Sequence, residues 1–365
     1  MAGPSQSEID EAIANYEDPY LHKNLFELNA VKSLRCENGN LELEIKMPYA
    51  CEGIHGAMQQ ILSTHLDYLD GVDSVHIDIQ TEIIAHKVQN NLKSLENVKN
   101  IIAVASGKGG VGKSTSAVNL ALSLAREGAT VGILDADIYG PSVGMMLGIA
   151  EGTRPKTQEQ KFFVPIDVQG LQVMSMAFLV TDETPMVWRG PMVSGALLQL
   201  LTQTKWNDLD YLVVDLPPGT GDIQLTLSQK VPVTGAIIVT TPQDIALLDC
   251  KKGIEMFRKV NIPVFGVIEN MSVHICSSCG HQEPLFGEGG GAQIAQNYET
   301  QLLGQMPLHQ TIREHMDAGT PTVIAEPDSE VALMYQDIGR KVGAELATKA
   351  KNYANAFPEI VFSKD

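Results

Sequence analysis

The sequence predicts an α/β protein with a doubly wound, mostly parallel sheet and a small α/β domain in front of it. Six short apolar runs follow residue 100, helical segments separate them, and the first 85 residues instead show alternating strands around one helix. Apolar runs without alternation are typical of parallel strands that helices cover on both faces. The chain of 365 residues is also longer than one core usually supports, so two domains are expected.

The first part of the chain predicts a β–α–β unit. Residues 40–47, NLELEIKM, alternate apolar and polar side chains and predict a strand. Residues 54–69 have helical spacing, and residues 72–80 alternate again. The polar stretch that follows, HKVQNNLKSLENVKN, reads as a connector. The predicted division is a small domain at 1–90, a linker at 91–99 and a large domain at 100–365.

The large domain is predicted from its apolar runs and the helices between them. The predicted strands are IIAVA, TVGILD, LQVMSM, DYLVVDL, GAIIVTT and PVFGVIEN. The predicted helices cover residues 113–127, 193–203, 245–260 and 291–302. In such a sheet, ligands bind at the carboxyl ends of the strands.

The composition argues against several partners. The net charge is -18, and residues 1–95 carry half of it, with 6 Lys and Arg against 15 Asp and Glu. Duplex DNA and anionic lipid require clustered cations, so neither nucleic acid nor a stable membrane contact is expected. The sequence also contains neither a run of eighteen apolar residues nor a signal-peptide pattern, which predicts a soluble, cytoplasmic protein.

A phosphate-binding loop is predicted between the first strand of the large domain and the helix after it. Residues 107–114, GKGGVGKS, fit the pattern G-x-x-x-x-G-K-[ST]. The glycines let backbone N–H groups surround phosphate oxygens, and the helix N-terminus adds its dipole. The second lysine should reach the β- and γ-phosphates, and the serine hydroxyl should bind Mg²⁺. The predicted nucleotide-binding residues here are Gly107, Lys108, Gly109, Gly110, Val111, Gly112, Lys113, Ser114 and Thr115.

Three aspartates lie at predicted strand ends. Asp215 ends the run YLVVD, Asp135 ends TVGILD, and Asp137 lies two residues after Asp135. Because parallel strands end at one edge of the sheet, these carboxylates should converge on the triphosphate. Mg²⁺ in such sites is held by the loop hydroxyl and a strand-end aspartate, so Ser114, Asp135 and Asp215 are its predicted ligands. Asp137 is predicted to orient the attacking water.

Five cysteines do not form a disulfide framework, but two of them form a C-x-x-C pair. Cys276 and Cys279 can hold one metal atom, whereas zinc or a [4Fe–4S] cluster requires four ligands. The chain has no second C-x-x-C, so a symmetric dimer would supply four thiolates on its two-fold axis. Zinc bound with a histidine, from His274 or His281, and a redox dithiol remain alternatives.

The extra lysine of the loop connects the sequence to known proteins. KGGVGKST matches the deviant Walker A signature, and the chain resembles the class of P-loop ATPases that includes MinD, ParA and the nitrogenase iron protein. The resemblance implies a nucleotide-sandwich homodimer, in which Lys108 reaches the phosphates bound by the partner subunit. A lysine in that place would add positive charge to the transition state, as an arginine finger does.

Longer stretches make the resemblance more specific. SGKGGVGKST, LDADIYGPS, VWRGPM, LVVDLPPGTGD, GVIENMS and CSSCG are similar to the Mrp/ApbC family of P-loop ATPases, regarded as iron–sulfur cluster carriers. The resemblance implies that Asn270 contacts the adenine edge and that Cys276 and Cys279 hold a [4Fe–4S] cluster between subunits. The first domain is similar to the small SufT-like domain, in which Cys51 occupies the position of a frequent cysteine.

The function implied is an ATP-hydrolysing carrier that binds ATP, Mg²⁺ and a bridging [4Fe–4S] cluster. Its partners would be a second copy, a cluster donor scaffold and recipient apo-proteins. Two alternatives remain from the sequence: a positioning ATPase like MinD or ParA, and a zinc-stabilised adaptor that binds nucleotide without turnover. The C-terminal residues, AKNYANAFPEIVFSKD, lack the sustained apolar face that a membrane-binding helix needs, which argues against the first alternative.

Overall fold

The computed structural model describes residues 3–88, 92–159, 161–179, 190–276 and 278–349. Its strands are β1 Val31–Glu37, β2 Asn40–Met47, β3 Ser74–Thr81, β4 Val98–Ala105, β5 Val131–Asp135, β6 Thr157–Gln158, β7 Phe162–Phe163, β8 Ile166–Val168, β9 Leu171–Ser175, β10 Leu209–Asp215, β11 Gly235–Thr240, β12 Val264–Glu269, β13 His274–Ile275, β14 Gln282–Glu283 and β15 Gln301–Gln305. Its helices are α1 Gln6–Ala14, α2 Glu52–Asp67, α3 Lys113–Arg126, α4 Val143–Met146, α5 Gly190–Gln203, α6 Asp222–Lys230, α7 Asp244–Lys259, α8 Gly290–Asn297, α9 Gln310–Asp317, α10 Thr322–Ala325 and α11 Glu330–Ala347.

An eight-stranded sheet forms the centre of the large domain. Its order is β15-β12-β11-β4-β10-β5-β9-β8, and every neighbouring pair is parallel except β8 and β9. The chain leaves β4 toward β5 on one side and later returns to place β11 on the other side. This reversal creates a crevice at the carboxyl end of β4, where doubly wound sheets bind their ligands. The predicted fold class is confirmed.

Two hydrophobic layers cover the sheet because its strands are apolar on both faces. In β4, Ile101 and Ala103 face the layer of α5 and α7, whereas Ile102 and Val104 face the layer of α3 and α11. The helices supply apolar side chains to each layer, among them Leu197 and Phe257 on one side and Val118 and Ile338 on the other. This double coverage is the physical reason for the uninterrupted apolar runs in the sequence.

The N-terminal residues form a three-stranded sheet with helices on one face. β2 and β3 are parallel and joined through α2, which confirms the predicted β–α–β unit, and β1 pairs antiparallel with β2. Alternate residues of β2, Leu41, Leu43 and Ile45, are buried against Met58 and Leu62 of α2. The other face of β2 carries Glu42 and Glu44, which accounts for part of the acidity of this region.

A buried carboxylate joins the N-terminal unit to the large domain. Glu127, the residue after α3, is 1% exposed. Its Oε2 accepts the Gly53 N–H at 2.8 Å, and its Oε1 accepts from Arg340 Nη2 at 2.6 Å. Ala344 of α11 also belongs to the core of the N-terminal unit. The N-terminal unit therefore packs against the C-terminal ends of α3 and α11.

Several local predictions were wrong. The helix predicted at 291–302 ends at Asn297, and Leu302 lies in β15, an edge strand too polar to show as an apolar run. The predicted connector and linker run into β4, which begins at Val98. α1, β1, β8 and the helices after β15 were not predicted. Residues 187–189 of the VWRGPM stretch and the C-terminal residues 350–365 lie outside the described residues.

Among the described residues, none of the helices is both long enough and apolar enough to cross a membrane.

The contact at Glu127 gives a prediction about stability. Glu127→Gln keeps the shape of the side chain but leaves the Arg340 guanidinium, only 15% exposed, without its counter-charge. Removing one partner of a buried ion pair is expected to lower the free energy of unfolding by about 3 kcal/mol, measured by urea denaturation.

Asp328→Asn is the matched control, because Asp328 pairs with Arg126 while 92% exposed. That change should alter the free energy of unfolding by less than about 1 kcal/mol. Equal effects of the two substitutions would contradict a structural role for Glu127.

Candidate nucleotide and metal site

The phosphate-binding loop, residues 107–112, lies between β4 and α3 and requires glycine at two positions. Gly110 and Gly112 have left-handed backbones, with φ of 80° and 82°. A Cβ atom at Gly112 would also lie 2.1 Å from Asn270 Nδ2. The loop is thus built for glycine, and α3 begins directly after it with Lys113 and Ser114 at its N-terminus. A helix N-terminus of this kind is suited to binding phosphate.

Lys113, Ser114 and Asp215 form one hydrogen-bonded cluster. Lys113 Nζ donates to Asp215 Oδ1 at 2.5 Å, and Ser114 Oγ donates to Asp215 Oδ2 at 2.5 Å. Asp215 is fully buried, and Lys113 is 6% exposed. Burial raises the pKa of Asp215, while the Lys113 ammonium and the two hydrogen bonds oppose that rise. The predicted phosphate lysine and two predicted magnesium ligands therefore share one site.

Asp135 lies beside Asp215 in the sheet and is fully buried. The two residues are register partners on β5 and β10. Asp135 Oδ2 accepts the Val143 N–H at 3.1 Å and the Ser175 hydroxyl at 3.2 Å. Burial, with the nearby Asp215 carboxylate, raises the pKa of Asp135 to about 7. Asp135 therefore contacts the loop between β5 and α4 and neither Lys113 nor Ser114.

Asp137 occupies the mouth of the site. Its Oδ2 lies 3.9 Å from Lys113 Nζ, and its Oδ1 accepts the Tyr139 N–H at 3.2 Å. It lines a cavity of about 220 Å³ together with Gly109, Gly110, Gly112, Lys113, Ser114, Thr115 and Pro218, among others. The phosphate-binding loop and one of the three predicted aspartates thus face the same cavity.

The remaining loop residues differ in exposure. Gly107 is packed against α7, since a Cβ there would lie 2.3 Å from the Asp249 carbonyl carbon. Lys108 is half-buried, and its carbonyl accepts the Ser106 hydroxyl at 2.9 Å. Within the part of the chain that the structure describes, Lys108 forms no ion pair with an acidic residue. Its ammonium is available to a ligand outside its own loop.

Asn270 contacts the loop itself. It directly follows β12, is 7% exposed, and donates from Nδ2 to the Val111 carbonyl at 2.9 Å. The amide predicted to contact adenine is therefore bonded to the phosphate-binding loop.

Cys276 and Cys279 lie on a small hairpin formed by β13 and β14. The Cys276 N–H donates to the His281 carbonyl at 2.9 Å, and the Gly280 N–H donates to the Cys276 carbonyl at 2.8 Å. Cys279 is exposed and Cys276 is half-exposed. Hydrogen bonds from the backbone of Ser278 and Cys279, followed by one from the Cys279 side chain, lower the pKa of Cys276. Both thiols are open to a ligand at the surface.

The described residues contain no cluster of three or more His, Cys, Asp or Glu side chains arranged to hold a metal ion. The histidines near the cysteine pair do not complete a site with it in one chain. Cys51 and Cys250 are buried elsewhere, and burial raises the pKa of both thiols. Cys51 Sγ lies 3.5 Å from His55 Nε2 in the N-terminal unit.

Residues 97–343 match the profile of a family described as ParA: NUBPL iron-transfer P-loop NTPase. The chain belongs to this family. Residues 6–79 match a second profile, that of an iron-sulfur cluster assembly protein. The resemblance stated from the sequence is thereby confirmed for both parts of the chain.

Three proteins similar to this P-loop NTPase each cover 64% or more of its chain. An iron-sulfur cluster carrier protein of Pseudomonas fragi is 67% identical over 286 residues, which is 78% of this chain and 100% of that protein. One from Escherichia coli K12 is 53% identical over 334 residues, or 92% and 90% of the two chains. A solved nucleotide-binding protein of Archaeoglobus fulgidus, in complex with ADP, is 35% identical with a TM-score of 0.56, covering 64% of this chain and 90% of that one.

The sequence patterns missed two polar residues at the site of this P-loop NTPase. Glu269 ends β12 fully buried, and its Oε2 accepts the Gly291 N–H at 2.5 Å. Ser175 ends β9 and donates to Asp135. Each follows an apolar run at the same sheet edge as Asp135 and Asp215, so the strand-end rule that found those aspartates would also have found Glu269 and Ser175.

The lowered pKa of Cys276 gives a prediction about reactivity. The rate at which iodoacetamide alkylates Cys276 in the metal-free protein should rise to half its maximum below pH 9, because backbone hydrogen bonds favour the thiolate. Mass spectrometry of the peptide containing Cys276 measures the rate, and glutathione alkylated in parallel is the reference thiol. If the pH of half-maximal alkylation of Cys276 equals or exceeds that of glutathione, the backbone hydrogen bonds do not favour the Cys276 thiolate.

Proposed function

We propose that the chain is an ATP-hydrolysing carrier of iron–sulfur clusters that acts as a homodimer. The family and the names of its relatives support a P-loop NTPase that transfers iron–sulfur clusters. The observation that carries the proposal is the presence, in one chain, of a complete phosphate-binding loop and an exposed C-x-x-C pair. Recipient apo-proteins and a cluster donor would be its partners.

The residues at the loop fit Mg²⁺ and a triphosphate. Ser114 and Asp215 present oxygen atoms of the kind that Mg²⁺ prefers, and Lys113 supplies a cation beside them. Bound Mg²⁺ would neutralise phosphate charge. Asp215 accepts hydrogen bonds from both Lys113 and Ser114, so these three side chains would present their polar atoms to the phosphates and Mg²⁺ together. Asp135, held by backbone N–H groups, would support the site from behind.

The hydrolysis step needs a positioned water and added positive charge. Asp137 borders the cavity and would orient the water that attacks the γ-phosphorus. The water oxygen bonds to that phosphorus as the β–γ bridging bond breaks, giving ADP, inorganic phosphate and a proton. Lys108, which is not paired with an acid in the described part of its own chain, would reach the phosphates of the second subunit.

The cysteine pair would hold the cargo. One chain offers two thiols, and a cluster needs four, so two copies related by a two-fold axis would complete the set. Backbone hydrogen bonds lower the pKa of Cys276, and thiolate is the form that binds metal. The nucleotide state would change the relative position of the two subunits. Because each subunit supplies two thiolates, that change would alter the affinity of the site for the cluster.

The carboxyl edge of the sheet also offers an apolar surface for a second copy. Four large side chains on segments that follow β5, β11 and the cysteine pair are exposed there: Tyr139, Ile245, Leu248 and Leu285. Exposed apolar groups beside a binding site are typical of a protein interface. Their position on the same edge as Lys108 supports a dimer that closes over the nucleotide.

The cluster assignment is tested by anaerobic reconstitution with iron and sulfide. Cys276→Ala and Cys279→Ala should each lose stable cluster binding while still binding ATP, because each change removes two of the four thiolates from the dimer. Iron per dimer and visible absorbance measure the result.

Cys36→Ala is the matched control, since Cys36 lies on β1 of the N-terminal unit. It should retain the full cluster. A full cluster in either hairpin variant, or zinc in place of iron after anaerobic purification, would refute the carrier model and favour a zinc-stabilised adaptor.

The role of Lys108 is tested by mixing two inactive variants. Lys108→Ala and Lys113→Ala should each abolish ATP hydrolysis alone. In a mixed dimer, the Lys108→Ala subunit keeps its own Lys113 and receives Lys108 from its neighbour. An equal mixture should therefore recover about a quarter of wild-type activity, since half of the dimers are mixed and each has one complete site.

Phosphate release measures this activity. If Lys108 acts within its own chain, the mixed dimer has no complete site and the mixture stays inactive. That result would refute the proposal that Lys108 acts in the active site of the second subunit.

A further inference from the structure

The segment that carries the cysteines leaves and rejoins the large domain at one point. It runs from residue 271 to residue 290. The two residues before it, Glu269 and Asn270, form hydrogen bonds at its exit and at its entry. Glu269 Oε2 accepts the N–H of Gly291 in the first turn of α8, just beyond the segment. Asn270, at the entry, is bonded to the phosphate-binding loop instead. The cysteine segment is therefore tied to the nucleotide site by its first anchor.

The contact between Asn270 and the loop is close and buried. Besides the 2.9 Å hydrogen bond from Nδ2 to the Val111 carbonyl, a Cβ at Gly112 would lie only 2.1 Å from Nδ2. Asn270 is only 7% exposed. A movement of the loop at Val111 and Gly112 must therefore move Asn270 or break its bond.

The next residue has a strained backbone. Met271 has φ of 57°, a left-handed conformation that a residue with a side chain rarely adopts. After it, the Ser272 N–H and hydroxyl both donate to the Met306 carbonyl, at 3.0 Å and 3.1 Å. Met271 is thus a single strained residue between one anchor on the phosphate-binding loop and another beyond β15. Such strain persists only where the neighbouring contacts enforce it and is common in switch regions, and residues just beyond the end of an element can act as hinges.

We propose that Asn270 is a positioning residue that transmits occupation of the phosphate-binding loop to the cysteine hairpin. Phosphate fixes the N–H groups of the loop, and the Val111 carbonyl belongs to the same backbone. The hydrogen bond carries that restraint to Asn270, across the hinge at Met271, and on to Cys276. By linkage, a ligand that orders the cysteines strengthens nucleotide binding by the same factor. This coupling rests on the proposed function for its biological meaning, since it links the ATP site to the cluster site.

Hydrogen–deuterium exchange of the metal-free protein tests the coupling. In the wild type, Mg-ADP should slow exchange in peptides covering residues 271–290 by about fivefold, the effect of one neutral hydrogen bond on a local equilibrium. Asn270→Asp has the same shape but no N–H donor, so Mg-ADP should leave hairpin exchange unchanged in this variant. Asn270→Ala should behave in the same way if the aspartate variant folds poorly. In every variant, slower exchange of the loop peptide, residues 107–115, reports that the nucleotide is bound.

Ser272→Ala is the matched control. It removes a side-chain hydrogen bond of the same segment that ends on Met306 and not on the loop. Its hairpin should exchange faster than that of the wild type, and Mg-ADP should still slow it by the same factor. A lost response in Ser272→Ala would mean that any weakened contact in the segment uncouples the sites, which would overturn the specific role of Asn270.

A probe without a base separates this role from adenine recognition. Magnesium tripolyphosphate fills the loop but offers Asn270 no base to contact. It should slow hairpin exchange in the wild type and leave it unchanged in Asn270→Asp. If only Mg-ADP slows the hairpin, the effect depends on the base and the coupling through Val111 is refuted.

Equal slowing in the wild type and in Asn270→Asp would also overturn the proposal, as would an unaffected hairpin in the wild type when the loop is protected. None of these measurements contains iron or requires a dimer. Their failure would therefore leave the cluster-carrier proposal intact, and failed cluster reconstitution would leave the exchange result intact.

Discussion

The buried ion pair between Lys113 and Asp215 is the contact on which the site depends. Two opposite charges meet at 2.5 Å at the carboxyl edge of the sheet, with Asp215 fully enclosed. A charge removed from water in this way is tolerable only with a close partner and satisfied hydrogen bonds. The second oxygen of Asp215 is satisfied by Ser114. The pair therefore fixes the start of α3 against the end of β10, and it holds Lys113, Ser114 and Asp215 together.

The two ends of α3 give this contact a wider reach. Lys113, its first residue, donates a hydrogen bond to Asp215. Glu127, the residue after its last turn, accepts hydrogen bonds from Arg340 and from Gly53 of the N-terminal unit. A helix is stiff along its axis because its backbone hydrogen bonds run parallel to that axis. The N-terminal unit thus contacts the C-terminal end of the helix whose N-terminal end lies at the phosphate-binding loop. On the other side of the loop, Asn270, which directly precedes the cysteine segment, donates a hydrogen bond to the Val111 carbonyl.

The acidic residues of the strand-end site are buried, whereas those on the N-terminal sheet face water. Two aspartates, Asp137 and Asp215, lie 3.9 Å and 2.5 Å from the buried Lys113 ammonium, and burial with the nearby Asp215 carboxylate raises the pKa of Asp135. The outer surface of the N-terminal sheet carries acids such as Glu42 and Glu44 at alternate positions, where water screens them.

The sequence by itself determined the elements that depend on local chemistry. The apolar runs indicated the strands because double coverage forces them to be apolar, and the loop pattern indicated the start of α3 because phosphate binding requires its glycines and lysine. The strand-end rule likewise located Asp135, Asp137 and Asp215. Some local signals were present and overlooked: Ser5 and Glu8 form a capping box at the start of α1, and Glu269 ends an apolar run.

Only the tertiary structure decided which of these groups touch. Strand register put Asp215 against Lys113 and turned Asp135 toward Val143 and Ser175, a distinction that depends on how three distant segments align. The bond from Asn270 to Val111 joins residues 159 positions apart, and no local pattern encodes it. The edge strand β15 was equally invisible, because a strand at the border of a sheet is half solvated and need not be apolar. Sequence fixes what each segment can form, whereas long-range packing chooses its partners.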